Sequence, residues 1–247
     1  MLKILSYNIH KGMNWNKAAF TLRSIKETLM DLSPDIAFFQ EVMGENEKIA
    51  QKFDSWPKEG QFEFLADQIW DEFAYAKNAV YPHGHHGNAL MSKFPIIRWD
   101  NHDISTHRLE NRGMLHSVIK LPHKRKELHT ICLHLSLFDY GRKIQYRRVC
   151  DFVNSNIPPD APLIIAGDLN DWNLKASLYF ENQIGMTEAF KYVLGSYAKT
   201  FPAHFPFLRL DRIYIRNLRI QNVTVHPSNP MKLLSDHLPL SIDVNIP

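Results

Sequence analysis

Short apolar runs recur along the chain, separated by clusters of Gly, Pro, Asn and Asp. Runs of this length, bounded by turn-forming residues, are typical of buried β-strands. They predict strands over residues 2–9, 35–40, 88–92, 114–121, 128–135, 162–166, 212–216, 219–225 and 238–244. Residues 228–236 are polar and predict a loop.

Other stretches repeat their apolar residues at helical spacing. The spacing predicts a helix over about residues 15–32 that ends at Ser33-Pro34, and further helices around residues 62–69 and 142–154. Helices and strands alternate at both ends of the chain and strands dominate the middle, which favours an α/β fold of two packed sheets flanked by helices. We find no repeat and no linker-like stretch, so residues 1–247 are predicted to form a single domain.

Polar residues that can bind a metal or transfer a proton follow or adjoin these apolar runs. An ionised carboxylate near a core is costly unless it is paired or coordinated, and several in one region imply a cation. Carboxylate and amide oxygens suit Mg²⁺ or Mn²⁺ better than a soft metal. The residues that follow this pattern are Asn8, Glu41, His134, Asp168, Asn170, Asp211, Asp236 and His237.

Each of these residues taken alone has an ordinary structural explanation. Asn8 could be a turn residue, Glu41 could cap a loop, and His134 could be a hydrogen-bonded histidine at a strand end. Asp211 could pair with Arg209 or Arg212 at the surface, an interaction worth ~0–1 kcal/mol. One shared site explains all of them together, and we therefore favour that interpretation.

The order of these segments resembles the endonuclease/exonuclease/phosphatase superfamily, which includes deoxyribonucleases and phosphatases. The matching segments are Ser6-Tyr7-Asn8, Gln40-Glu41-Val42, His134-Leu135, Gly167-Asp168-Leu169-Asn170, Leu210-Asp211-Arg212-Ile213 and Ser235-Asp236-His237. The resemblance implies a four-layer α/β/β/α sandwich of two packed mixed β-sheets flanked by helices. It also implies a catalytic site at one edge of the two sheets.

The resemblance assigns metal binding to Glu41, Asn8 and Asp236, with Mg²⁺ as the expected ion and Mn²⁺ as a substitute. Glu41 would be the principal ligand, Asn8 would complete the polar shell, and Asp236 would be a second acidic contributor. Asp168 would position and deprotonate the attacking water. Asn170 would donate to a non-bridging phosphate oxygen.

The remaining catalytic roles also follow from the resemblance. His237 would stabilise the transition state or supply a proton, and Asp211 would orient its ring. His134 matches a histidine that contacts phosphate or acts as an acid in the deoxyribonuclease branch. Arg112 lies where relatives place an arginine that faces the phosphate.

The segment around His83, His85 and His86 allows two interpretations. Three close histidines suggest zinc, although neither a cysteine nor a carboxylate nearby completes a ligand set. The two glycines of this segment favour a tight loop on the substrate side of the cleft, with Asn88 as the best candidate for substrate binding.

Aromatic residues near the predicted site are also ambiguous. Trp172 directly follows residues 168–171 and could stack on a base or cover an apolar headgroup. Residues 201–208 are rich in Phe and Pro; they could brace Asp211 or form an apolar lip of the cleft, and we favour the brace. Cys132 and Cys150 are predicted to be buried and unpaired.

Charge and hydropathy restrict the function only weakly. The formal net charge is +3, which does not indicate a generic nucleic-acid binder, although basic residues cluster at 124–126, 142–148 and 209–219. The clusters could be solvated surface or a rim that attracts phosphate. The start lacks a signal-peptide pattern and no run reaches the ~20 apolar residues that span a bilayer, so a cytoplasmic protein is expected.

The sequence therefore predicts a metal-dependent hydrolase that cleaves a phosphodiester or phosphomonoester with an Asp-activated water. Its substrate could be nucleic acid, a phospholipid headgroup or a small phosphate ester, and no stable protein partner is predicted. Two alternatives belong to other classes: a catalytically silent fold that binds a phosphorylated partner, and a zinc hydrolase centred on the histidine-rich segment.

Overall fold

The computed structural model describes residues 1–108, 110–122 and 126–246. The strands are β1 (Leu2–Asn8), β2 (Ile36–Asn46), β3 (Glu72–Tyr81), β4 (Gly84–Ser92), β5 (Ile96–Asp103), β6 (Gly113–Ile119), β7 (Leu128–His134), β8 (Leu163–Asp168), β9 (Thr187–Glu188), β10 (Asp211–Arg216), β11 (Arg219–Val225) and β12 (Leu240–Asn245). The α-helices are α1 (Leu22–Leu32), α2 (Glu47–Ala50), α3 (Gln61–Ala66), α4 (Asp139–Asn156), α5 (Ala176–Ile184), α6 (Ala189–Leu194) and α7 (Asn229–Leu234), and a 3₁₀ turn covers His10–Gly12.

The strands form two mixed sheets with the same design. One sheet has the order β11-β12-β1-β2-β4-β3 and the other β5-β6-β7-β8-β10-β9. The central pairs, β1–β2 and β7–β8, are parallel. In the register of these pairs Asn8 lies beside Gln40 and His134 lies beside Asp168. The polar residues that follow each apolar run are thus brought to the carboxyl ends of the parallel strands.

Three apolar cores separate four layers. Residues of both sheets, among them Phe38 and Cys132, meet in the central core. Leu29 of α1 and Leu65 of α3 pack on the outer face of the first sheet. Val149 of α4 packs with α5 on the outer face of the second. This arrangement confirms the predicted α/β/β/α sandwich, and both cysteines are buried and free, as predicted.

The first predicted helix is too long by seven residues, because α1 begins only at Leu22. The Asn14 side chain accepts hydrogen bonds from the backbone N–H groups of Ala18 (2.9 Å) and Ala19 (3.0 Å). An asparagine that bonds the backbone in this way competes with helix formation and stabilises a turn. Ala18 is consequently exposed rather than part of the core.

Several other boundaries also differ from the prediction. The predicted loop 228–236 contains α7, and β2 runs six residues beyond Gln40. The glycine-rich segment after Pro82 is mostly strand, because β4 already begins at Gly84. In the predicted basic cluster 124–126, Lys124 and Arg125 lie outside the described residues, and Lys126 pairs with Asp160 at 2.8 Å.

None of the helices in the described ranges has the length and apolar character required to cross a bilayer.

We predict that Phe38→Ala lowers the free energy of unfolding by ~3–5 kcal/mol, because it opens a cavity between the two sheets. Phe38 is 0% exposed in the central core. Chemical denaturation followed by circular dichroism measures this change. Phe205→Ala is the matched control; this ring is 72% exposed, and its removal is expected to change stability by ~0.5 kcal/mol or less. Equal losses for the two variants would contradict the assignment of the central core.

Candidate active site

A cleft of about 600 Å³ opens where the carboxyl ends of the two parallel strand pairs meet. Most of the predicted site residues line it. These are Glu41, Arg112, His134, Asp168, Asn170, Asp236 and His237. Asn8 and Asp211 are buried directly behind this surface and hydrogen-bond to residues that line it. The sequence prediction therefore identified a set of side chains that the fold brings together.

Asp168 lies at the centre of the cleft floor and is 1% exposed. Its Oδ1 accepts the backbone N–H of Asn170 at 2.9 Å, and its Oδ2 accepts the side-chain amide of Asn8 at 3.1 Å. Two ring nitrogens also approach Oδ2, those of His134 at 3.6 Å and His237 at 3.7 Å. Burial raises the pKa of Asp168 to about 6, against the opposing effect of His237. The carboxylate is therefore suited to accept a proton near neutral pH.

His237 lies between two buried carboxylates. Its Nδ1 is 2.8 Å from Asp211 Oδ2, and because an ionised carboxylate only accepts, Nδ1 is the donor. Burial alone would lower the pKa of His237, but Asp211 and Asp168 offset it and raise the pKa to about 10. The ring is therefore a cation directed at the cleft through Nε2.

Thr200 completes this arrangement from behind and was missed in the sequence. Its hydroxyl donates to Asp211 Oδ2, the oxygen that also accepts from His237. Its backbone is fixed by two hydrogen bonds of 2.9 Å: the Thr200 N–H donates to the Leu208 carbonyl, and the Leu238 N–H donates to the Thr200 carbonyl. A lone threonine before an aromatic segment carries no sequence signal, because only the tertiary fold brings it to Asp211.

Glu41 reaches the cleft through an irregularity in β2. The β2–β4 register shifts between Phe39 and Val42, and Glu41 has a φ of 56°. A bulge of this kind redirects a side chain away from the regular alternation of a strand. Burial tends to raise the pKa of Glu41, but the nearby cations, led by Lys11 at 3.7 Å, lower it overall. Glu41 is consequently an ionised carboxylate at the cleft wall.

His10 is a second residue that sequence reasoning missed. Its Nε2 lies 3.7 Å from Asp236 Oδ2, and its Nδ1 lies 3.2 Å from the carbonyl of Asn14. It also contributes to the field at Glu41. The signal available in the sequence was its position two residues after Asn8, in the polar end of the first strand.

The carboxylates of Glu41 and Asp236 fit a hard divalent cation. Their side chains are 20% and 23% exposed, respectively, so their oxygens are accessible from the cleft. Asn8 is more occupied, because its Oδ1 accepts from His10 N (3.0 Å) while its amide donates to Asp168. Ligand atoms of Asp168, Asp211 and His237 also lie within 4.8 Å of one another, but the Asp211–His237 hydrogen bond already accounts for two of these residues.

Arg112 lies at the cleft wall and is oriented by Glu110. The guanidinium Nη2 is 3.1 Å from Glu110 Oε1, which also accepts the backbone N–H of Leu137 at 2.9 Å. The second oxygen of Glu110 accepts the Ser136 hydroxyl. The predicted phosphate-facing arginine is thus held in place by a carboxylate that the sequence reasoning did not identify.

The side chains of Asn88, His85 and His86 lie in different places and do not form one site. Asn88 does not line the cleft; its amide donates to the carbonyls of Gly113 (3.2 Å) and Cys132 (3.4 Å) between the sheets. His85 bonds Tyr75 at 2.9 Å, whereas His86 stacks on Tyr81 at the cleft. Consecutive strand residues point to opposite faces, so these two rings cannot share one zinc ion. The geometry of the described residues therefore argues against the zinc alternative.

Trp172 and residues 201–208 border the cleft. One face of the Trp172 ring lies 4.6 Å from the Arg142 guanidinium. Phe201 packs 4.9 Å from the His237 ring and lines the cleft, and Ala203 is buried, with its N–H bonded to the carbonyl of Asp236 at 2.7 Å. The segment 201–208 therefore braces the site and also forms part of its lip.

Comparisons with known proteins agree with this geometry. Residues 5–237 match the profile of the Endonuclease/Exonuclease/phosphatase family. The chain is 41% identical over 244 residues to the Uncharacterized protein YbhP of Escherichia coli K12, covering 99% of this chain and 96% of that protein.

Solved structures share the same fold at lower identity. A functionally unknown conserved protein of Enterococcus faecalis V583 superimposes with a TM-score of 0.79 at 15% identity over 100% of both chains. The mannosyl-6-phosphatase Bt3783 of Bacteroides thetaiotaomicron gives a TM-score of 0.75 at 16% identity, covering 99% of this chain and 100% of that one. On the match over nearly the whole chain and the shared fold, the protein belongs to the endonuclease/exonuclease/phosphatase family.

Proposed function

We propose that the protein is a divalent-metal-dependent phosphoesterase that hydrolyses a phosphodiester with a water activated by Asp168. One observation carries the proposal. A buried Asp168, fixed through both oxygens, lies 3.7 Å from the His237–Asp211 pair in a cleft that also contains two accessible carboxylates. Family membership supports hydrolysis of a phosphoester in general, since the family comprises nucleases and phosphatases.

Asp168 acts as the general base in this proposal. Burial raises its pKa toward neutrality, which brings its proton affinity close to that required for general-base catalysis. The hydrogen bonds from Asn8 and Asn170 fix the orientation of the carboxylate. Asn8 therefore contributes to catalysis at least as a positioning residue, and its role as a metal ligand remains a prediction.

His237 and Arg112 stabilise the negative charge that develops on the phosphoryl oxygens. His237 is held as a cation by Asp211, and Arg112 is oriented by Glu110. Pre-oriented cations in a site with little water stabilise a transition state strongly, because they need no reorganisation during the reaction. Asn170 and His134 add polar groups on the same side, next to Asp168.

Glu41 and Asp236 would hold the divalent ion, for which Mg²⁺ or Mn²⁺ fits the oxygen donors. A bound ion would supply Lewis-acid polarisation of a phosphoryl oxygen. The chain itself keeps both carboxylates open to the cleft, with Lys11 3.7 Å from Glu41 and the His10 ring 3.7 Å from Asp236.

A diester is the substrate class that the cleft fits best. Its wall includes a polar part, with Lys11, His86 and Arg112, and an apolar part, with Phe138 and Phe201. A phosphodiester has two substituents of which one can be apolar and the other polar, whereas a monoester has only one. The structurally similar mannosyl-6-phosphatase Bt3783 is named for a monoester substrate, so monoester hydrolysis is the alternative outcome of the assay.

We expect Asp168→Asn to slow hydrolysis of bis(p-nitrophenyl) phosphate by about 10²–10⁴-fold, because it removes the proton acceptor. The rates are measured with Mg²⁺, Mn²⁺ or EDTA, and p-nitrophenyl phosphate serves as the monoester. Asp151→Asn, at an exposed position of α4, is the matched control. A wild-type rate in a folded Asp168→Asn variant would remove Asp168 as the base, and faster monoester cleavage would reverse the diester preference.

We expect Glu41→Gln to raise the Mg²⁺ concentration for half-maximal activity by at least about tenfold, since a neutral amide binds a hard cation more weakly than a carboxylate does. A metal titration of the initial rate measures the shift. Glu45→Gln, an exposed position of the same strand, should leave the titration unchanged. Identical titrations for wild type and Glu41→Gln would exclude Glu41 as a ligand.

We expect Asp211→Asn to lower kcat at least about tenfold, because it weakens a charge-assisted hydrogen bond worth ~1.5–3 kcal/mol. The metal titration should not move, since Asp211 acts through His237. Thr200→Val removes only the second donor to Asp211 and should cause a smaller fall in kcat. A shifted metal titration in Asp211→Asn would contradict the assignment of Asp211 to His237 alone.

A further inference from the structure

Exposed hydrophobic side chains are concentrated on four segments around the mouth of the cleft, residues 9–21, 135–143, 169–175 and 197–209. These segments comprise 42 of the 247 residues, yet they carry eight of the twenty exposed large hydrophobic side chains in the described part of the chain. We refer to these eight as the apolar rim: Trp15, Leu137, Phe138, Tyr140, Trp172, Leu174, Phe205 and Phe207. An exposed apolar cluster on a folded protein marks a surface that contacts another phase or molecule.

Contacts join the four segments in two pairs. The Trp15 ring lies 5.8 Å from the ring of His204, which joins the first segment to the last. Asp139 accepts from Asn173 at 3.2 Å and from Lys175 at 3.1 Å, which joins the second segment to the third. Leu137, Phe138 and Trp172 line the cleft, as do Lys11, Phe201 and Leu208 of the other two segments, so both pairs border the candidate active site.

The same four segments contain the excess of positive over negative charge. They carry seven Lys and Arg residues, of which Arg142 is buried, against two Asp residues and no Glu. The remainder of the chain has 22 Lys and Arg against 24 Asp and Glu, whereas the whole chain has a formal net charge of +3. The excess of positive charge therefore coincides with the exposed aromatic side chains, next to a site that is proposed to bind phosphate.

We propose that the apolar rim docks on an anionic phospholipid bilayer, so that the cleft opens toward the phosphate esters of the lipid headgroups. The membrane binding is inferred only from the apolar rim and the charge of its segments. The inference that a lipid headgroup is the substrate rests on the proposed function. Aromatic side chains are favoured at the boundary between lipid and water. Basic residues beside them add attraction of about 1 kcal/mol each to an anionic surface.

The positions of the rings favour a bilayer over single-stranded nucleic acid. Bases stack on aromatic faces that follow one groove. Tyr140, Phe205 and Phe207 do not belong to the cleft wall, although they are 77%, 72% and 53% exposed. One face of Trp172 is already covered by Arg142. Side chains that protrude beyond the cleft from separate segments instead suit insertion into a broad apolar layer.

The test measures co-sedimentation of the full chain with vesicles, in the absence of divalent metal, so that binding is separated from catalysis. One set of vesicles is phosphatidylcholine alone and the other contains equal parts of phosphatidylcholine and phosphatidylglycerol. We expect binding to the anionic vesicles, weakened by salt. The double variant Phe205→Ser/Phe207→Ser should partition at least about tenfold less, because two phenyl rings no longer enter the bilayer.

The matched control is Tyr192→Ser/Leu194→Ser, which removes two side chains of α6 that are 73% and 61% exposed outside the apolar rim. This variant should bind as wild type does. Equal binding of the two double variants, or absence of wild-type binding to anionic vesicles, would overturn the proposal. The proposal would also be overturned if wild type bound a single-stranded oligonucleotide but not vesicles, and the Phe205→Ser/Phe207→Ser variant lost the oligonucleotide binding.

Asp168→Asn separates the docking from the proposed function. This variant should sediment with vesicles as wild type does but release no water-soluble phosphate product from phosphatidylglycerol. Vesicle binding together with no hydrolysis of any phosphoester by wild type would support the docking and contradict the proposed function. Hydrolysis of soluble diesters without vesicle binding would support the function and overturn the docking.

Discussion

The candidate site depends on keeping two carboxylates charged where almost no water reaches them. Asp168 and Asp211 are each 1% exposed, and His237, at 5%, lies between them. A buried carboxylate without a partner costs several kcal/mol, and two would repel each other. The histidinium offsets this cost, while Thr200 and Asn8 donate one hydrogen bond each. Removing the positive ring would leave two uncompensated charges, so the geometry and the protonation of the site are coupled.

The sheet topology makes this arrangement possible. Each sheet contains one parallel pair, and the side chains at the carboxyl ends of both pairs meet at one edge. The chain then leaves the regular strands in unusual conformations: His10, Glu41 and Asn170 have φ values of 46°, 56° and 48°. Such conformations cost of order 1–3 kcal/mol each and persist where the surroundings determine them. Three of the nine non-glycine residues with positive φ in the described part of the chain thus lie at or beside the candidate site.

The layers and the grouping of most candidate site residues in one cleft could be predicted because both depend on local patterns. An apolar run followed by a carboxylate, as at Asp168, identifies a buried strand and its end. Contacts made by a folded-back connection leave no such signal: Thr200 reaches Asp211 because residues 201–208 turn back on themselves, with the Thr200 N–H bonded to the Leu208 carbonyl. The apolar spacing misled the prediction near residue 15, because the Asn14 side chain stabilises a turn there instead of a helix. Asn88 was predicted to bind substrate because it is a polar residue in a glycine-rich segment. Its amide instead bonds two carbonyls between the sheets, which its sequence position does not indicate.

The side chains proposed for catalysis and those of the apolar rim differ in how firmly the fold holds them. The residues proposed for catalysis lie at strand ends or in the short turns that follow them, where backbone hydrogen bonds and the cores restrict movement. The side chains of the apolar rim lie on connections between strands and helices or, for Tyr140, in the first turn of α4, and all of them are exposed. Substitution there changes what can approach the cleft without disturbing Asp168 or His237. A match to a known fold identifies the strands and the residues at their ends but not the substrate, because one fold accommodates many substrates. The information about the substrate of this protein must therefore be sought in the connections, where aromatic rings and positive charge occur together.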